Sequence, residues 1–232
     1  PSFISPLSHP SLMIPETFTC DAVTWERAVS LSRTLAAKVR ASGFRPDLVV
    51  AVGRGGYVPA RIVCDELLIM DLAGIRVEHW GTAEHKNERA VVRRPLTDDI
   101  TGLAILVVDD VTDTGDTLTA ALDHLEGRGA GEIRTGVLVH KQVCGVVPDY
   151  HAEFAPSWYW VIFPWARHED VVGFTGKVLA DEPADMAEIR AILAGRYGLL
   201  AGEEEVLEAL ADLATAGRAV QDGPRYLLAP RE

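Results

Sequence analysis

The sequence predicts an open, mostly parallel α/β sheet flanked by helices, followed by a small α+β appendage. Three observations predict it. Short continuous apolar runs recur along the chain, as expected for strands buried on both faces of a parallel sheet. Helical patterns alternate with them. Two of the runs end in loops of small and polar residues that each open a helix, the place where ligands sit in such sheets.

The elements follow in order. Residues 1–20, with Pro1, Pro6, Pro10 and Pro15 and no charged leader, read as an extended N-terminal arm and not as a signal peptide. Thr24 caps a helix running through WERAVSLSRTLAAKVRAS to Gly43. PDLVVAVG, residues 46–53, is a strand, Val58–Met70 a helix and Gly74–Trp80 a second strand. Residues 81–97, GTAEHKNERAVVRRPLT, are polar and without period, and read mostly as a mobile excursion. Leu103–Val108 is a strand, Asp109–Asp116 its loop and Thr117–Gly127 a helix. Ile133–His140 and Trp158–Phe163 read as further strands. Pro183–Tyr197 and Glu203–Gly217 then read as helices, and AVQDGPRYLLAP as a hairpin turning at Asp222-Gly223. Helix, helix, hairpin resembles a winged-helix unit. The expected organisation is an arm over 1–20, a main domain over 21–181 and a winged-helix-like module over 182–232.

Composition narrows the function. The chain has 232 residues, enough for one domain with a real core and a small appendage. Its formal net charge is −12, which disfavours nucleic-acid binding, since phosphate contacts need excess Lys and Arg. Cys20, Cys64 and Cys144 show no metal spacing and read as reduced thiols of a cytoplasmic protein. No apolar stretch approaches membrane-spanning length.

The chemistry concentrates in ILVVDDVTDTGDT, Ile105–Thr117. An apolar strand delivers Asp109 and Asp110, and a loop then opens a helix. Thr114, Gly115, Asp116 and Thr117 lie where N–H groups at a helix N-terminus face an anion. Two carboxylates beside a bound sugar phosphate can accept from ribose hydroxyls. The segment closely resembles the phosphoribosyl-pyrophosphate motif of type I phosphoribosyltransferases, except that Thr112 replaces their usual aliphatic residue. A second segment, VVAVGRGGYVPARIV (residues 49–63), ends a strand in Gly53-Arg54-Gly55-Gly56. Alone, that is a flexible turn. One βα unit before the first motif, GRGGYVPA resembles the pyrophosphate loop of xanthine-guanine types, which makes Arg54, Gly55 and Gly56 binding residues.

The base-side residues follow from the same resemblance. Asp113 stands where 6-oxopurine enzymes have an aspartate, whose carboxylate can accept the N7 proton. Lys141 stands where they place a lysine donating to O6. WVIFPW, residues 160–165, resembles the stretch whose first aromatic stacks on the purine, so Trp160 stacks and Val161, with Ile162, offers backbone contacts. Pro164 and Trp165 read as structural. The loop 81–97, with Lys86, Arg89, Arg93 and Arg94, would close over pyrophosphate.

The resemblance spans roughly residues 46–166 and implies a purine-salvage enzyme. It would transfer 5-phosphoribosyl from phosphoribosyl pyrophosphate to hypoxanthine, guanine or xanthine, giving a nucleoside 5′-monophosphate and pyrophosphate. Asp113, Asp109 and Asp110 are its catalytic candidates. Mg²⁺ is implied as cofactor, with Asp109 and Asp110 as ligands mostly through substrate and water, and a homo-oligomer is implied because relatives are commonly dimers or tetramers. Two alternatives stay open: another base, and a transcription regulator that reuses the domain as a sensor. Against the regulator, residues 182–232 carry ten acids and five arginines, net −5.

Overall fold

A computed structural model describes residues 17–79, 90–142 and 145–229. In chain order they form β1 (Cys20–Ala22), α1 (Trp25–Ala41), β2 (Leu48–Gly53), α2 (Tyr57–Leu67), β3 (Leu72–His79), β4 (Ala90–Arg94) and β5 (Ile105–Thr112). Next come α3 (Asp116–Glu126), β6 (Ile133–Lys141), β7 (Tyr150–Ala155), β8 (Trp160–Ile162) and α4 (Arg167–Asp181). β9 (Ala184–Asp185), α5 (Met186–Tyr197), α6 (Glu203–Thr215), β10 (Ala219–Asp222) and β11 (Arg225–Leu228) complete the chain. The described residues divide into two compact units, one of residues 26–158 and one of residues 17–25 with 159–229. Among the described residues no helix is long and apolar enough to cross a membrane.

The first unit is a six-stranded sheet in the order β4-β3-β2-β5-β6-β7. All neighbours are parallel except β4, which runs antiparallel to β3. Leu48, Val50, Val52, Ile105, Val107 and Val137 point to one face, where Leu118, Ala121 and Leu125 of α3 cover them. The opposite face carries Val49, Ala51, Leu106 and Val108, all fully buried. Both faces are therefore apolar, which is why these strands read as unbroken hydrophobic runs. Sequence order reverses at β2: its crossover α2 leads to β3 on one side, whereas β5 pairs on the other. Loops leaving β2 and β5 at such a switch point splay apart and leave a crevice.

Three expected boundaries shift. β5 does not stop at Val108. It continues through Asp109–Thr112 because β6 runs beside it to Lys141, pairing Thr112 with His140. The expected loop Asp109–Asp116 therefore shortens to the residues between β5 and α3. Part of the expected excursion is strand: Ala90–Arg94 form β4, and Arg93 Nε lies 3.6 Å from Glu78 Oε2 on β3. Residues 80–89, with Lys86 and Arg89, lie outside the described residues, as do the arm 1–16 and Cys144. Cys20 and Cys64 are free and buried.

The second unit has its own core. Val171, Phe174, Val178 and Leu179 of α4 pack with Ile189 and Leu193 of α5 and with Val206, Leu210 and Leu213 of α6. The expected boundary at residue 182 therefore falls inside this unit, between α4 and β9. Asp185 caps α5 with a reciprocal capping box to Glu188. β11 pairs antiparallel with both β10 and β9, and the hairpin turns at Gly223 with φ 58°. The expected helix, helix, hairpin order is present, with α4 and β9 added before it. β1, which straddles the expected end of the arm at residue 20, pairs in parallel with β8.

Candidate active site

The loops after β2 and β5 line one cleft of about 290 Å³. Gly53, Arg54 and Gly55 form one wall, Asp109–Gly115 with Thr117 the other, and Val52, Val77 and Leu118 the apolar floor. The two loops touch closely. A Cβ on Gly55 would lie 2.2 Å from Asp110 Oδ2, and one on Gly56 would lie 2.3 Å from the Val108 carbonyl oxygen. At Gly56 the obstacle is backbone and glycine is required, whereas at Gly55 it is a side chain. Tyr57 lies across bare backbone as well, its ring meeting the Cβ positions of Gly53 and Gly74.

Gly115 precedes α3 with φ 89°, and no side chain caps that helix. The Asp116 N–H meets Thr114 Oγ1 at 3.4 Å, and the helix dipole at this end favours an anion's charge. The Thr114 hydroxyl donates to Asp116 Oδ2 at 2.8 Å, which draws that carboxylate back along the loop. Arg54 and Asp116 are exposed, Thr114 and Thr117 half-buried.

Asp109 and Asp110 differ sharply. Asp109 is 8% exposed, Asp110 half-buried. Burial pushes the Asp109 carboxyl well above its ordinary value of 3.8, and the Asp110 charge pushes it further. The Asp110 amide donates to Asp109 Oδ1 at 2.9 Å, which offsets part of this. With the folded pKa above the unfolded one, this carboxyl's contribution to stability is fully present below pH 3.8 and is lost as pH rises above it. Asp109→Asn is therefore expected to melt above the wild type at neutral pH, with the gap closing toward acid. Thermal unfolding from about pH 4 to pH 8 checks this. A variant that melts at or below the wild type throughout would refute the account of Asp109.

Lys141 is 2% exposed at its side chain, and its ammonium pairs with Asp113 Oδ1 at 2.5 Å. It also lies 5.3 Å from the Trp158 ring centroid. A buried ammonium needs such partners. Asp113, 42% exposed at its side chain, faces the cleft. Beneath this pair, Thr112 Oγ1 and His140 Nδ1 share a buried hydrogen bond of 2.9 Å. The residue pattern marks Thr112 as unusual but names no partner for it, and it places Trp158 only at the start of a strand.

The last two candidates belong to the second unit. Trp160 donates from Nε1 to Asp170 Oδ1 at 3.1 Å and stacks at 6.0 Å on Phe18. In the parallel ladder with β1, bonds run through Trp160 N–H to the Thr19 carbonyl and through the Ile162 carbonyl from Val23 N–H. Alternation then turns the Val161 N–H and C=O away from β1. The two units thus divide the candidate set: the loops, Asp113 and Lys141 in one, Trp160 and Val161 in the other.

Asp109 and Asp110 are hard oxygen donors that suit Mg²⁺. Among the described residues no group of three or more His, Cys, Asp or Glu could hold a metal ion. A cation at these two carboxylates would draw most of its ligands from substrate oxygens and water.

Residues 23–170 match the phosphoribosyl transferase domain family. The xanthine-guanine phosphoribosyltransferase of Idiomarina loihiensis is 32% identical over 149 residues, 63% of this chain and 86% of that protein. That of Roseobacter denitrificans is 30% identical over 161 residues, 62% of this chain and 83% of the relative. The crystal structure of a purine phosphoribosyltransferase from Pyrococcus horikoshii superposes with a TM-score of 0.57 at 32% identity. It covers 63% of this chain and 93% of that one. The family match ends inside α4 and leaves residues 171–232 beyond it.

Proposed function

The chain belongs to the phosphoribosyltransferase family, and from that membership we propose that it is a purine-salvage enzyme acting on a 6-oxopurine. The observation that carries the proposal is the cleft at the β2/β5 switch point, with the Asp113–Lys141 pair at its edge.

The residues divide the work. Backbone N–H groups of Thr114–Thr117 and the threonine hydroxyls take the 5-phosphate. Asp109 and Asp110 accept from the ribose hydroxyls. Arg54, with the open backbone of Gly55 and Gly56, takes pyrophosphate. The base sits against Asp113 and Lys141: the ammonium donates to O6 and the carboxylate accepts the N7 proton. Trp160 and Val161 belong to the other unit and are given no part in this assignment.

A base nitrogen then attacks C1 of the ribose. The C1–oxygen bond breaks, and pyrophosphate leaves with the electron pair. Positive charge growing on the ring is stabilised by Asp109 and Asp110. Asp113 receives the proton released from N7. Bound Mg²⁺, held by Asp109 and Asp110, would neutralise charge on the departing pyrophosphate.

The relatives named above are enzymes, and residues 182–232 carry net −5, so the regulator reading is not pursued. Residues 182–232 are assigned to an accessory module, and a homo-oligomer is part of the proposal.

A panel of nucleobases with phosphoribosyl pyrophosphate and Mg²⁺, read by pyrophosphate release, tests the reading. Release with hypoxanthine, guanine or xanthine, and little with adenine or uracil, is expected. Release with adenine or uracil alone would move the substrate class, and none with any base would remove the activity.

A further inference from the structure

We propose that Thr112 and His140 form a positioning pair that sets the geometry of Asp113 and Lys141, and so the affinity for the base rather than for the sugar phosphate. The inference rests on the reading of Asp113 and Lys141 as base-binding residues.

Thr112 and His140 are register partners at the ends of β5 and β6. The residue after each is one of the base-side pair. Two cross-strand links therefore act in series, Thr112 Oγ1 to His140 Nδ1 at 2.9 Å and Lys141 Nζ to Asp113 Oδ1 at 2.5 Å. The first is buried, with Thr112 3% and His140 4% exposed. A hydrogen bond shielded from water holds its geometry better than an exposed one, and leaving either partner unmet there is costly.

The imidazole is itself held in place. Its ring lies 5.4 Å from the His151 ring and 5.8 Å from the Phe154 ring, both on the neighbouring strand β7. Burial, and then His151, hold His140 below the ordinary histidine range, so it is neutral at neutral pH. A neutral ring can accept the Thr112 proton at Nδ1 or donate its own, and either tautomer keeps the link. An aliphatic residue at position 112 could not make it. Asp113 stands at the start of the short segment between β5 and α3, where nothing in the sheet ladder beyond Thr112 fixes its direction.

The sugar-phosphate residues are placed differently. Asp109 pairs in register with Val137, three residues before the Thr112 link, and of the phosphate N–H groups those of Asp116 and Thr117 open α3. Loosening position 112 should therefore affect the base subsite first.

The test compares Thr112→Val, which keeps volume and loses the hydroxyl, with Thr112→Ser, which keeps the hydroxyl. Titration calorimetry would measure GMP and ribose 5-phosphate on each protein. The expected result is GMP about five- to tenfold weaker on the valine variant. Ribose 5-phosphate should bind as to the wild type, and serine should restore GMP. Parallel weakening of both ligands, or unchanged GMP binding, would overturn the proposal. Wild-type protein that binds GMP no more tightly than ribose 5-phosphate would remove the base-side reading itself, and this inference with it.

Discussion

Asparagine at position 113 is expected to lower turnover on a 6-oxopurine by about 10²–10⁴-fold, the range for losing a positioned general base. Ribose 5-phosphate should still bind, because none of the atoms assigned to the sugar phosphate changes. The amide is isosteric with the carboxylate, so the loss reports the proton-accepting oxygen and not shape. Stability should change as well. Lys141 is 2% exposed and would face a neutral amide in place of its counter-ion at 2.5 Å. Breaking a fully buried pair costs about 3–5 kcal/mol. Asp113 is 42% exposed, so solvent screening places the cost below that range. The double variant Asp113→Asn/Lys141→Met removes both charges and should regain the melting temperature without regaining turnover. Asp113→Asn protein that turns over at the wild-type rate would take Asp113 out of the proton transfer.

What was legible in the sequence follows the physics of each element. β2, β5 and β6 were readable because a strand buried on both faces must be apolar throughout. Both cleft loops are readable because their small residues mark a close approach of backbone. β4 was hidden: AVVRR is an edge strand, half exposed, inside a polar stretch. β7 was hidden for the same reason, since His151, Ala152 and Glu153 are half-buried and Phe154 is exposed. α4 escaped because RHEDVVGFTGKVLAD carries two glycines and several β-branched residues, poor helix formers, and tertiary packing outweighs them. The end of β5 was misjudged because paired aspartates read as loop, whereas a neighbouring strand extends the ladder past them. The Thr112–His140 link joins residues 28 apart, and no local pattern reports such a partner.

Alanine at Gly55 and at Gly56 should damage the protein in different ways, and the difference tests whether Asp110 holds the ribose. At Gly55 the new Cβ would lie 2.2 Å from Asp110 Oδ2. The obstacle is a side chain, so Asp110 can swing away and the strands can stay in place. Gly55→Ala is therefore expected to melt close to the wild type while losing the carboxylate's contact to sugar. A hydrogen bond to a charged group is worth about 1.5–3 kcal/mol, which corresponds to about 10- to 100-fold weaker ribose 5-phosphate, a ligand without the pyrophosphate assigned to the Gly55 backbone. At Gly56 the Cβ would lie 2.3 Å from the Val108 carbonyl oxygen and 2.7 Å from that of Val52. Both are backbone, on β5 and β2, so no rotamer change relieves the clash. Overpacking of this kind costs about 1–3 kcal/mol or more, and Gly56→Ala should lose melting temperature as well as binding. Calorimetry and thermal unfolding on the two variants separate the effects. If Gly55→Ala binds like the wild type, Asp110 is not a sugar ligand, and Asp109 must hold the ribose alone despite the burial that disfavours its charge.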